Sequence, residues 1–172
     1  MKKNAVLLAI LAVLVPAGVF AQNPFDYEAT VPGDFNINAG VSLRWGIGVD
    51  VGVDLITVKF AIEGFPLDWG IGARGLLNLG WAGGFEWGAA GLWTRHKGIT
   101  FGERLNFDVY IALGVGVGGG GFYAFPFGVG FSTFDGIAWK LNDTVAIQLE
   151  YGGIYGWQVA TSVGSIGIRL TL

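Results

Sequence analysis

The side chains best placed for chemistry are charges set singly into apolar surroundings. Arg44, Asp50, Asp54, Arg74, Glu86, Asp108, Lys140, Glu150 and Arg169 are each flanked on both sides by apolar residues or glycine. In a backbone of period two these residues share one face. Lys59 and Glu63 join that face after a parity flip near Ile56. Nearly balanced signs imply mutual pairing in a narrow interior, because an unpaired buried charge is costly. The alternative chemistry for such a set is a gated polar path.

Other chemistries find little support. His96 is the one histidine, and Thr94-Arg95-His96-Lys97-Gly98 reads as a cationic connection able to touch anionic headgroups, with no serine close in sequence. The chain has no cysteine, so no thiolate metal site or disulfide can form. Only carboxylate and carbonyl ligands for a hard cation remain. The glycine run from Gly114 to Gly121 would cradle phosphate only if a helix followed, and Phe122 to Phe131 reads as strand. A net charge of −3 offers no basic footprint for nucleic acid. The expectation is a protein without catalytic residues, cofactor or metal.

The elements that position these charges follow from composition and pattern. Charged residues make up 13% of the chain, against roughly 25% in soluble domains, and mean hydropathy is +0.56. Yet beyond Val15 no apolar stretch is long enough for a spanning helix. A closed barrel is the other structure that lipid accepts, since it pairs every backbone group between strands. Phe35, Ile37, Ala39, Val41, Leu43 and Trp45 alternate with Asn36, Asn38, Gly40, Ser42 and Arg44, and the same alternation recurs around 67–81 and 105–116. Trp45, Trp69, Trp81, Trp87, Trp93, Trp139 and Trp157 fall mostly near strand ends, where barrels carry aromatic girdles at the two membrane–water interfaces. Glycine, 31 residues in all, falls largely on the polar face, as tight bending and close packing require.

The N-terminus predicts export. A short positive start, Met1-Lys2-Lys3-Asn4, precedes an apolar run from Ala5 to Val15 and a small residue at Ala21. This is the layout of a secretory signal peptide at 1–21, cleaved after Ala21. Residues 22–34 then form an N-terminal extension and residues 35–172 a transmembrane β-barrel.

Trp45-Gly46-Ile47-Gly48-Val49 and Trp81-Ala82-Gly83-Gly84-Phe85 read as three-residue hairpin turns spaced one hairpin apart. That spacing fits about four hairpins, or eight antiparallel strands in up-and-down order, near 35–45, 49–62, 67–81, 85–94, 104–117, 123–141, 143–151 and 158–172. Asp135-Gly136 is itself a turn signal, and a break there gives ten strands.

The segment from Gly136 to Tyr151 (GIAWKLNDTVAIQLEY) resembles the tight periplasmic turn and following strand of small bacterial outer-membrane barrels, the OmpA transmembrane, OmpX and OmpW group. The last strand, with Ile166, Ile168, Leu170 and Leu172 against Ser165, Gly167, Arg169 and Thr171, resembles the family's assembly signal, although it ends in leucine where an aromatic is usual. The resemblance implies an outer-membrane location, with lipid and the barrel assembly machinery as partners. It also implies a structural envelope role or, in OmpW-like fashion, a passage for small or apolar molecules of unspecified identity.

Overall fold

The computed structural model describes residue 25 and residues 27–42, 46–62, 65–80, 84–101, 105–120 and 127–172. Eight strands follow one another: β1 (Phe35–Ser42), β2 (Gly46–Ile62), β3 (Phe65–Gly80), β4 (Phe85–Phe101), β5 (Leu105–Gly120), β6 (Gly128–Lys140), β7 (Val145–Trp157) and β8 (Val159–Thr171). Each pairs antiparallel with the next and β8 closes on β1, so the sheet is a closed eight-stranded barrel without edges. The closure is staggered. Successive partners of Asn36 run through Asp54, Gly72, Leu92, Gly114, Ser132 and Ile154 to Thr161, whereas the direct β1–β8 register sets Asn36 against Thr171. Such a stagger tilts the strands and fixes the bore, leaving an eight-stranded interior just wide enough for side chains.

Alternation explains why these segments are strands: outward positions are mostly β-branched, aromatic or leucine, and inward ones are glycine, small or polar. The parity flip near Ile56 is a β-bulge between Ile56 and Val58 in the β2–β3 register. It adds one residue to β2, so Lys59 pairs opposite the inward Asp68.

Several boundaries differ from the sequence expectation. Gly46-Ile47-Gly48 is not a turn but opens β2, paired with Gly80, Leu79 and Asn78. Asp135-Gly136 breaks nothing, because Ile111 and Tyr151 hold Asp135 from both sides; the strand count is eight, not ten. β7 runs on to Trp157, and Gly156 pairs with Val159 across a two-residue turn in which Gln158 takes φ 59°. The largest change is in β4. It continues to Phe101, so the cationic run of Thr94 to Gly98 lies within a strand paired with β3 and β5.

The barrel has two unlike ends. One holds the C-terminus, the 141–144 turn and residues 27–34, and is called here the terminal end. The far end carries the 157–158 turn, Gly80 at the end of β3, Gly120 at the end of β5 and Phe127 before β6. Residues 27–34 cross the terminal mouth. Gly33 N donates to Ile56 O (2.9 Å), Thr30 Oγ1 bonds Asp68 Oδ2 (2.8 Å), and Lys140 Nζ donates to Ala29 O (2.6 Å). Glu28 pairs with Lys59, and Lys97 Nζ donates to Phe25 O. The backbone of Tyr27 and Ala29 passes so close to Gly98 that a Cβ there would sit 2.1 Å from Tyr27 O. Glycine at 98 therefore makes room for the segment.

Candidate functional site

The interior is divided into two layers. Towards the far end Leu76, Ala90, Leu92, Ala112, Phe134, Ile154, Val159 and Val163 form one buried apolar cluster drawn from six strands. Towards the terminal end most of the buried side chains are polar or charged, among them Asn38, Asp54, Arg74, His96, Asp108, Glu150 and Arg169.

Arg74 is the hub of the polar layer. Its Nη1 and Nη2 meet Asp54 Oδ1 and Oδ2 at 2.9 and 3.1 Å, and its Nε reaches Glu150 Oε2 at 3.0 Å. Two inner-face glycines create the room. A Cβ at Gly52 would lie 2.5 Å from Arg74 Cδ, and one at Gly72 would lie 2.1 Å from Asp54 Oδ1. Glu150 also accepts from Tyr110 OH (2.5 Å) and Gln148 Nε2 (3.3 Å).

Asn38 joins the first group to a second, donating to Asp54 Oδ2 (3.0 Å) and accepting from Arg169 Nε (3.0 Å). Arg169 further bonds Gln148 Oε1 (3.0 Å) and pairs with Asp108, while its guanidinium stacks 4.5 Å from the Tyr110 ring centroid. Asp108 Oδ2 also takes His96 Nδ1 at 2.8 Å. The result is one continuous network contributed by every strand except β6.

The sequence-derived residues distribute unevenly over this arrangement. Asp54, Arg74, Asp108, Glu150 and Arg169 come together in it. Asp50 is buried apart from them, near Ser165 at the inner face of Gly40, and its Oδ1 has no hydrogen-bond partner among the described residues. Lys140 is half-buried and spends its ammonium on the N-terminal segment rather than on a carboxylate. Glu86 is half-buried on β4, four residues from Arg74's partner Ala90 by way of Gly88, and forms no ion pair with a described residue. Arg44 and Glu63 lie outside the described residues, as does the 1–21 segment.

His96 corrects the sequence reading. It is not a solvated turn residue but is 1% exposed inside the barrel, stacked on Tyr110 at 5.5 Å. The signal was in the alternation, which runs on through Trp93, Arg95, Lys97 and Ile99 outward against Thr94 and His96 inward. Asn38, Tyr110 and Gln148 were missed because neutral polar residues carry no charge pattern to single them out. A His–Asp pair invites comparison with nucleophile activation, but His96 Nε2 has no hydrogen-bond partner among the described residues. No described serine is therefore engaged by it. The glycine run at 114–120 lies within β5, with no helix after it among the described residues.

Outside, the wall is apolar: Val41, Ile47, Val51, Ile71, Leu79, Val115, Phe131, Leu149, Ile166 and Ile168 are all exposed. Trp87 and Trp157 lie towards the far end. Trp139 and the Trp69–Trp93 pair, tilted 32° to each other with centroids 4.2 Å apart, lie on the terminal side. Trp45 and Trp81 are outside the described residues.

No family model matches this sequence, and no curated protein does either. Among solved structures, a designed protein described under "De novo design of transmembrane beta-barrels" is similar to it, with 15% identity and a TM-score of 0.43, covering 83% of this chain and 98% of its own.

Proposed function

We propose that the chain is an integral barrel of the bacterial outer membrane, exported with removal of residues 1–21, whose closed interior serves a structural, envelope-integrity role without catalysis. The observation that carries this reading is the inversion of the molecule. Apolar side chains cover the outside while charge pairs lie within. Water would not support an exterior of this kind, since soluble monomers rarely expose apolar patches beyond a few hundred Å². In lipid the same surface is satisfied.

The two interior layers favour the structural role over passage. The apolar cluster of Leu92, Phe134, Ile154 and Val163 fills the interior towards the far end, and residues 27–34 cross the terminal mouth. Partners are then lipid and the assembly machinery, with no cofactor. Cell fractionation tests the location: recovery with the outer membrane and heat-dependent gel mobility are expected, and recovery in the soluble periplasm without detergent overturns it. Planar bilayers test the role, where absence of steady single-channel current is expected and a stable conductance would favour a passage.

A further inference from the structure

Among the described strand residues, charge reaches the outer face at only three positions, Arg95 and Lys97 on β4 and Asp135 on β6. Asp135 is the anomaly. It is exposed and flanked laterally by Ile111 and Tyr151, and its next outward neighbour, Ile137, separates it from Trp139. Trp139 is four residues on, roughly 13 Å along the strand. If Trp139 marks the interface, Asp135 lies well inside the apolar belt. Its carboxylate makes no hydrogen bond or ion pair to a described residue. A carboxylate in that position is unfavourable unless it meets a cation, and an ion pair gains strength as the dielectric falls.

The complementary charge is on the same face. Arg95, Ile111 and Asp135 form one lateral row, Arg95 opposite Ile111 and Ile111 opposite Asp135. The Arg95 guanidinium rests 4.5 Å from the Trp69 ring centroid, on the side away from Asp135. The cation and the anion thus stand one strand to either side of β5. The outer face of β5 between them is an aliphatic ridge of Val109, Ile111, Leu113 and Val115, all exposed. A two-fold axis parallel to the membrane normal, in front of Ile111, would bring each Arg95 to the side of the second copy that carries Asp135, with strand tilt offsetting the two in depth by about 6 Å, within the length of an arginine side chain. Isologous pairing of this kind repeats every contact twice.

We infer that this face docks a second copy of the chain, β5 against β5, with reciprocal Arg95–Asp135 ion pairs on either side of the aliphatic ridge. The inference rests on the membrane reading above. Its test uses the full chain in native membranes and in detergent, with heat-dependent gel mobility as the check on folding. Because the chain has no cysteine, Ile111→Cys places a single thiol beside the proposed axis, and oxidation should yield a disulfide-linked homodimer. Asp135→Arg should weaken self-association about tenfold by sedimentation equilibrium, and adding Arg95→Asp should restore it. A folded, membrane-inserted barrel that stays monomeric, or a double variant no better than Asp135→Arg alone, overturns the dimer while leaving the membrane reading intact. Crosslinking at position 111 to a different protein also overturns it. A water-soluble chain overturns both.

Discussion

Arg74 on β3 and Glu150 on β7 stand on opposite walls of the barrel and meet inside it, with Arg74 Nε 3.0 Å from Glu150 Oε2. The pair is a cross-brace. It ties together strands that share no backbone hydrogen bonds, and Asp54 holds the other edge of the same guanidinium.

Removing the hub strands two carboxylates with no bulk water to receive them. Arg74→Ala should therefore cost about 3–5 kcal/mol, the range for breaking a buried pair. Glu86→Ala, which removes a half-buried carboxylate outside the network, should cost about 0–1 kcal/mol. Reversible unfolding in detergent reads both, and equal losses would show that Arg74 is solvated in place.

The brace also depends on glycine. A Cβ at position 72 would invade the Asp54 carboxylate and one at 52 the Arg74 side chain, so Gly72→Ala and Gly52→Ala should each destabilise by about 1–3 kcal/mol, the usual cost of overpacking. Gly91→Ala is the control. A Cβ there meets nothing within 4 Å, and stability should be unchanged or slightly raised.

Two positions near the far end hold left-handed backbone, with opposite consequences. Gln158 takes φ 59°, which costs an ordinary side chain about 1–2 kcal/mol, so Gln158→Gly should leave stability equal or higher. Gly120 takes φ 89°, and its Cβ would fall 1.8 Å from Phe85 O. Gly120→Ala should lower the thermal midpoint clearly, and an unchanged midpoint would mean that the hairpin end can rearrange.

The apolar layer predicts how the interior could be opened. Phe134 and Ile154 are fully buried within it, and Phe134→Ala with Ile154→Ala removes two large plugs. Each should cost about 2–5 kcal/mol. If this layer is the barrier, the double variant should admit ions in planar bilayers where the parent chain passes none; a silent double variant would assign the barrier to the polar network and residues 27–34.

Alternation carried most of the architecture, because period two is a property of the backbone and a hairpin connection of odd length preserves parity. Eight strands, the inward placement of Asp54, Arg74, Asp108, Glu150 and Arg169, and the flip near Ile56 were all legible from residue order. Local signals misled wherever pairing overrode them. Asp135-Gly136 has turn propensity, yet two neighbouring strands hold it straight, and Gly136 is needed because a Cβ there would lie 2.2 Å from the Tyr110 ring. Thr94 to Gly98 looked like a solvated connection, yet β3 and β5 carry it through the wall and bury His96. Which charge meets which was beyond the sequence. Arg74 and Glu150 are separated by 76 residues, and only the stagger of the closed barrel decides that they share a level while Glu86 stands apart. The N-terminal segment is the same case: nothing in the order of residues 27–34 assigns them to the mouth, and only the closed rim brings Ile56, Asp68, Gly98 and Lys140 within their reach.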